Sequence, residues 1–339
     1  MSGNATQRYR IAVLVPCFNE AVTIGEVVQN FAQALPDAEI YVYDNNSSDD
    51  TVSIANAAGA IVRRERTQGK GSVVRRMFSD VEADVYVLVD GDGTYDAGRA
   101  PELIQNLLEE QMDMINASRR STSESVYRRG HAFGNKLITG LVSTLFGNRF
   151  QDMLSGYRVF SRRFVKSFPA LSSGFEIETE LTVHALELQM PVLEIEVPYY
   201  ERPENSESKL NTFRDGARII RTIVLLLKQE RPFQVFAVIF LVLTLLSILA
   251  GWPVVNEYIE TGLVPRLPTA VLSSALMILG FLSLACGLIL DTVTRGRREF
   301  KRLHYLTFPA VSAASKQKAN ETLIDMEQTN SNDAWRNLD

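Results

Sequence analysis

Five consecutive apolar residues, Val85-Tyr86-Val87-Leu88-Val89, run directly into Asp90-Gly91-Asp92-Gly93-Thr94. β-Branched or aromatic except for one leucine, the run has the pattern of a strand buried on both faces, and such strands belong to parallel sheets covered by helices. The glycines past its end break it, so Asp90 and Asp92 fall at the carboxyl edge of the sheet, where open α/β folds hold their ligands. Gly91 sets no side chain between the carboxylates, which lets both turn toward one point. Hard cations such as Mg²⁺ or Mn²⁺ take oxygen ligands and keep positions open for water and phosphate. The pair therefore predicts a clamp for a metal and a diphosphate, against a plainer reading in which the aspartates cap the next helix.

The chain before this point alternates strand and helix. Ile11–Val15 reads as a first buried strand ended by Pro16, and Thr23 as the N-cap of a helix carrying Ile24, Val27, Val28 and Phe31 inward. Glu39–Tyr43 is a second strand that delivers Asp44-Asn45-Asn46-Ser47-Ser48-Asp49-Asp50-Thr51 at its end. Ser48–Thr51 suits turn and N-cap chemistry, whereas Asp44 directly follows its strand, placed to accept hydrogen bonds from a ribose or base edge. Ala60–Val62 is a short third strand, followed by Gln68-Gly69-Lys70-Gly71. This lacks the spacing of a phosphate-binding P-loop, so Lys70 pairs with a phosphate or sugar or is a solvated loop lysine. Polar residues collected at the ends of alternating strands predict a doubly wound α/β sheet.

Beyond Pro101 a helix leads to a strand over Met112–Ser118 that ends at Arg119-Arg120, with Arg128-Arg129 following. Guanidinium forks match phosphate oxygens, so four arginines near a metal and a diphosphate predict a second anionic ligand. His131 has no second histidine at ligand spacing and reads as ordinary. Gln151–Arg158 is a polar island, Ser172–Glu176 opens a helix with Ile177, Leu181 and His184, Val192–Tyr199 reads as a last strand, and Glu201–Lys209 as a flexible polar segment.

The final third is of another kind. Phe233–Trp252 and Ala270–Leu290 carry no charge and each run about 20 residues, enough for a helix to cross a bilayer, so they predict a transmembrane hairpin. Just before them, Phe213, Ala217, Ile220, Val224 and Leu227 alternate with Arg214, Arg218, Arg221 and Lys228, the pattern of a helix lying in the headgroup region. Arg221, Lys228 and Arg231 precede the first span and Arg295, Arg297, Arg298, Lys301 and Arg302 follow the second, whereas the connection Pro253–Leu267 holds only Arg266. The positive-inside rule then puts both termini and the catalytic region in the cytoplasm, with the chain multi-pass in the inner membrane. Met1–Arg10 is polar and Ile11–Val15 is too short for a signal-peptide core. A net charge of −5 argues against nucleic acid as a partner, and the isolated Cys17 and Cys286 against zinc or a disulfide framework. The tail from Ser312 is polar and low in aromatic residues, a composition that predicts mobility.

Taken together, Val-Pro-Cys-Phe-Asn-Glu (15 to 20), Asp44 with its Asn/Ser/Asp cluster, Gly-Lys-Gly (69 to 71), Asp-Gly-Asp (90 to 92), Ser-Gly-Tyr-Arg (155 to 158) and Ser-Lys (208 to 209) resemble family 2 glycosyltransferases of the GT-A fold. The resemblance is to the polyprenyl-phosphate group, which includes dolichyl-phosphate mannose synthases and bacterial undecaprenyl-phosphate glucosyltransferases. It implies a Rossmann-like, mostly parallel sheet flanked by helices over 1–210, an interfacial amphipathic helix over 211–232, and spans over 233–252 and 270–290. A short periplasmic connection over 253–269 would join the spans, with a basic and polar cytoplasmic tail over 291–339.

The same resemblance implies that Pro16, Phe18, Glu20 and Asp44 hold the nucleoside of a UDP- or GDP-sugar. Asp90 and Asp92, with Thr94 beside them, would hold Mg²⁺ or Mn²⁺. Arg119 and one of Arg128 or Arg129 would meet the acceptor phosphate, and Asp152 would sit by the reacting centre. Arg202 and Lys209 would belong to a segment closing over the diphosphate, with Lys70 and Gly91 lining the donor site. Members of the group associate through their membrane helices, so homo-oligomerisation is expected by analogy. Asp-Gly-Asp-Gly-Thr replaces the Asp-Ala-Asp-Leu-Gln of mannose synthases, which leaves the sugar and the metal's third protein contact open.

Three competitors are weaker. A processive polysaccharide synthase would carry a Gln-x-x-Arg-Trp motif and more membrane helices, and a sugar nucleotidyltransferase would begin with a glycine-rich loop. An inactive membrane scaffold has no need of an intact aspartate pair.

Overall fold

The computed structural model describes residues 9–121, 150, 152–170, 174, 176–202 and 231–311. These fall into two compact units, one comprising the described residues up to Arg202 together with Arg302–Val311, the other Arg231–Lys301. The expected interfacial helix lies outside the described residues, as does the tail from Ser312.

The first unit is built on seven strands, β1 (Ile11–Cys17), β2 (Glu39–Asp44), β3 (Ile61–Arg64), β4 (Val85–Leu88), β5 (Met114–Ser121), β6 (Arg158–Ser161) and β7 (Val192–Tyr199). Their order in the sheet is β3-β2-β1-β4-β6-β5-β7, and every pairing is parallel except the two made by β6. Helices α1 (Ile24–Ala34), α2 (Thr51–Ala57), α3 (Lys70–Asp80), α4 (Ala100–Glu109), α5 (Arg162–Ser167) and α6 (Ile177–Glu187) connect the strands. The core joins the apolar faces of β1, β2 and β4 to Ile24, Val27, Val28 and Phe31 of α1 and to Leu103, Ile104 and Leu107 of α4. A parallel sheet gathers the carboxyl ends of β1, β2 and β4 on one edge, and this is what assembles the site.

Several details differ from the sequence-based expectation. Pro16 lies inside β1, paired with Tyr43, instead of ending it. Proline is tolerated there because the strand stops one residue later. Thr23 occupies the N-cap position of α1 but makes no capping bond, and its hydroxyl donates to the Gly91 carbonyl at 2.6 Å. The start of α1 is thereby tied to the turn after β4. β6 was not anticipated, since four residues opening on an arginine carry too little pattern to register as a strand.

The stretch Arg302–Val311 belongs to the first unit. Tyr305 donates its hydroxyl to Asp113 at 2.6 Å, and Arg163 meets the same carboxylate through Nε at 2.9 Å and Nη2 at 2.7 Å. Ser161 donates to it at 2.7 Å, while the Arg163 guanidinium lies 4.5 Å from the centre of the Tyr305 ring. Arg302, one of the basic residues expected at the membrane flank, donates to the Leu188 carbonyl beyond α6 at 2.6 Å. Val311 joins the core.

The second unit contains α7 (Pro232–Thr261) and most of α8 (Leu267–Leu306), both long and apolar enough to cross a membrane, each with an 18-residue window of mean hydropathy 2.6 and 2.2 respectively. α7 runs through Pro253 and stops at Gly262, whose φ of 70° ends a helix at no steric cost. The non-helical link between the two helices therefore covers residues 262–266. Small residues let the two helices approach. Ser247 and Ser273 each donate to the other's carbonyl, at 2.8 and 2.9 Å, and Gly280 packs on Thr244 and Phe240. A side chain on Gly287 would meet Phe236. Ser273, Gly280 and Gly287 recur every seven residues, the close-packing pattern of membrane helices.

Asp113 is 1% exposed and compensates the Arg163 guanidinium, so Asp113→Ala leaves a charge without its partner. Losing one member of such a pair costs about 3 kcal/mol. Thermal unfolding of the variant in detergent is expected to begin well below that of the wild type, and an unchanged transition would show the cluster to be marginal.

Candidate active site

The edge begins with two loops zipped together. Asn19 donates its backbone N–H to the Ser47 hydroxyl and accepts from Ser48 N–H, both at 2.8 Å, and Glu20 N–H reaches the Thr51 hydroxyl at 2.9 Å. Asp44 is buried at the end of β2, where its carboxylate accepts from Ser47 N–H. Asn45 spans the gap to the next loop, donating to the carbonyls of Glu65 and Thr67 at 3.0 and 2.9 Å and accepting from Gly69 N–H at 2.7 Å. It thus sets the loop that presents Lys70.

Lys70 bridges Asp90 and Glu178, with Nζ 2.5 Å from a carboxylate oxygen of each. Burial works against its ammonium, but the two carboxylates outweigh burial and keep it charged. Glu178 is pushed up by burial and by Asp90, with Lys70 opposing. Its Oε2 is buried without a hydrogen-bond partner, an acceptor left available at the site. Sequence reasoning missed Glu178. The signal was present, since Glu178 shares a helical face with Leu181, Thr182 and Ala185, and an acid in a buried stripe needs a reason.

Asp92 is engaged differently. Its Oδ1 accepts from the Thr94 hydroxyl at 2.6 Å and its Oδ2 from Arg202 Nη2 at 2.5 Å, with Arg202 Nη1 3.9 Å from Glu20. In this structure Lys70 pairs with Asp90 and Arg202 with Asp92, so each of the two aspartates already faces a cation. Thr94 orients Asp92. The roles of the glycines also shift. A Cβ at Gly91 would press on Cys17 Sγ, so Gly91 is small for packing, and it is Gly93, with φ of 72°, whose backbone calls for glycine.

Across the edge, Arg119 grips Asp152 with two parallel bonds, Nε to Oδ2 at 2.7 Å and Nη2 to Oδ1 at 2.8 Å, and adds its backbone N–H at 3.1 Å. Burial alone would raise the Asp152 carboxyl, but Arg119 outweighs it and holds Asp152 below the usual carboxylate range. The backbone of Asp152 is pinned by Asn116, which donates to its carbonyl at 2.7 Å, and by Glu194, which accepts its N–H at 3.0 Å. Tyr95 receives Gly156 N–H at 2.9 Å and packs edge-on against Tyr199. The Arg119 guanidinium lies 5.5 Å from the Tyr199 ring centre. Gly156 faces Asp90 so closely that a side chain there would overlap the carboxylate.

Of the residues singled out in the sequence, Pro16, Phe18, Glu20, Asp44, Lys70, Asp90, Gly91, Asp92, Thr94, Arg119, Asp152 and Arg202 all fall at or next to this edge. Arg128, Arg129 and Lys209 lie outside the described residues. Among the described residues no three His, Cys, Asp or Glu side chains form a metal cluster. The guanidinium on Asp92 nonetheless marks a position that accepts a cation, and Mg²⁺ or Mn²⁺ in nucleotide sites is commonly held by one or two carboxylates together with phosphate oxygens. The donor set fits such an ion.

The model of glycosyl transferase family 2 matches residues 12–168. Glycosyltransferase AglJ of Haloferax volcanii is 30% identical over 87% of this chain and 98% of its own length. An uncharacterised Shigella flexneri protein is 54% identical over 46% of this chain and 95% of its own. The dolichyl-phosphate hexose transferase of Haloferax volcanii is 27% identical over 65% of this chain and 95% of its own. Among solved structures, glucosyl-3-phosphoglycerate synthase of Mycobacterium tuberculosis, crystallised with Mn²⁺, UDP and glucosyl-3-phosphoglycerate, superposes with a TM-score of 0.53 at 20% identity, over 65% of this chain and 79% of that one. The first unit thus has the GT-A fold of nucleotide-sugar transferases. The chain belongs to glycosyl transferase family 2.

The Asp152–Arg119 pair has a pH signature. Because the folded carboxyl lies below its unfolded value of about 3.9, its stabilisation is present above that pH and is lost as pH falls through the folded value. Asp152→Asn is therefore expected to melt below the wild type at pH 7 and to converge with it on acidification below about pH 4. Parallel melting curves at every pH would contradict the pairing.

Proposed function

We propose that this family 2 glycosyltransferase moves a hexose from a UDP- or GDP-sugar to a polyprenyl phosphate, with inversion at the anomeric carbon. The observation carrying the proposal is the state of Asp152. Its carboxylate is committed to Arg119 by two short bonds, so it is poorly placed to take a proton from an acceptor hydroxyl. A phosphate monoester needs no such base, since its second pKa is about 6 and it is largely dianionic at neutral pH.

In the proposed reaction an acceptor phosphate oxygen attacks the anomeric carbon, the bond from that carbon to the diphosphate breaks, and the nucleoside diphosphate leaves with the electron pair. No proton has to move. Arg119 faces the acceptor phosphate with Asp152 fixing its fork, and Arg202 moves from Asp92 to the diphosphate as the donor arrives. Asp92, oriented by Thr94, would hold Mg²⁺ or Mn²⁺. A divalent cation there supplies positive charge that offsets the charge building on the leaving group. Lys70, Asp90 and the unpaired Glu178 oxygen offer donors and acceptors for the sugar hydroxyls.

The lipid acceptor and the membrane setting are supported by the two apolar helices and by the name of the dolichyl-phosphate relative. The cytoplasmic orientation rests on charge. The connection Pro253–Leu267 holds Arg266 as its one Lys or Arg, against five directly after the second span. A cysteine introduced at Leu263 is expected to react with an impermeant maleimide added outside intact cells. Labelling only after lysis would reverse the orientation.

The deciding assay incubates purified protein with undecaprenyl phosphate and a panel of UDP- and GDP-sugars, with and without Mg²⁺ or Mn²⁺. A β-linked lipid phosphate sugar from an α-linked donor is expected by NMR, and an α-linked product or none across the panel would refute the proposal. Asp92→Ala is expected to cut turnover by about 10³-fold or more. Asp152→Asn is expected to lose at most about 10²-fold, the scale of misplacement and not of a missing base. Equal and complete loss in both would overturn this division of roles.

A further inference from the structure

Arg158 opens β6 beside the last residue of β4, and it is fully buried. None of the ion pairs among the described residues includes it. A guanidinium taken out of water without a direct carboxylate partner is costly, and here burial lowers its pKa to about 10 even with the charges of Glu178 and Asp152 opposing. Something has to justify that cost.

Its three faces answer this. Nη2 donates to the Met153 carbonyl at 2.6 Å and Nε to the Ser155 carbonyl at 3.1 Å, clasping the turn that starts at Asp152 and ends at Gly156. Nη1 donates to the Thr182 hydroxyl at 2.8 Å, and Thr182 in turn donates to the Glu178 carbonyl at 3.1 Å. One rigid fork therefore joins the turn holding the Arg119–Asp152 pair to the helix turn holding Glu178 and, through it, Lys70 and Asp90. Only a planar group with donors on three sides reaches all of these acceptors, which a lysine cannot do. Asn116, Glu194, Arg119 and Tyr95 bond the ends of the turn, and the Ser155 hydroxyl donates to the Ala117 carbonyl at 2.5 Å. Arg158 adds the grip on the backbone carbonyls of Met153 and Ser155 and is what links the turn to the helix carrying Glu178.

We infer that Arg158 is a positioning residue that sets the acceptor-side pair Arg119–Asp152 and the donor-side group Lys70–Asp90–Glu178 at a fixed separation. The inference rests on the transfer reaction proposed above, and one of its readouts does not use that reaction.

The test uses the full chain in detergent with Arg158→Met, Arg158→Lys and Thr182→Val, the last removing one partner of the fork at nearly constant shape. Turnover is expected to fall about 30-fold or more in Arg158→Met, about 10-fold in Arg158→Lys and about threefold in Thr182→Val, with donor KM within about threefold of wild type. Arg158→Met added to Asp152→Asn should cost little beyond the worse single change, because both act through the same turn. Hydrogen exchange should quicken across 153–157 in each variant that folds while β1 and β2 stay protected. Should neither Arg158 variant fold, Thr182→Val decides. Wild-type turnover in the folded variants, multiplicative loss in the double variant, or unchanged exchange across 153–157 would each overturn the inference. A wild-type protein that transfers no sugar while the exchange result holds would instead refute the proposed reaction and leave the positioning role standing.

Discussion

Acidic side chains crowd the carboxyl edge of the sheet, and the arrangement survives burial because a cation is threaded between them. Lys70 lies between Asp90 and Glu178, Arg202 between Asp92 and Glu20, and Arg119 against Asp152. Carboxylates this close repel one another, and the cations set between them offset that repulsion. In the proposed reaction, a diphosphate entering this edge would exchange one set of ion pairs for another.

That view separates residues that hold charge from residues that hold geometry. Asp92, Lys70, Arg119 and Arg202 carry the first task. Asn45, Thr94, Asn116, Tyr95 and Arg158 carry the second, through hydrogen bonds to backbone in loops that would otherwise have several conformations. In the proposed reaction, the commitment of Asp152 to Arg119 would favour an acceptor that brings its own negative charge over one that needs a base.

Much of this was legible in the chain. Strand-ending aspartates announced themselves because a buried parallel strand is a continuous apolar run and its first polar residue must surface at the sheet's edge, which located Asp44, Asp90 and Asp92. Two uncharged stretches of bilayer length announced the hairpin. Less visible were the short strand β6, the acid Glu178 within a helix, and the stretch Arg302–Val311 packed on Asp113. None of these is marked by local periodicity, because each depends on a neighbour far away in sequence.

The sequence by itself determined the alternation of strand and helix, the direction in which each strand delivers its polar residues, and the two membrane-length helices, since these follow from periodicity, chain direction and hydropathy over short windows. Only the tertiary structure decided which charge meets which. Lys70 and Glu178 are 108 residues apart and Arg202 and Asp92 110 apart, separations at which local pattern carries no information. The same holds for Gly91, which is small because Cys17 lies beneath it, and for Thr23, whose hydroxyl leaves its own helix for the Gly91 carbonyl. Both choices are made by whichever atom the fold brings within reach.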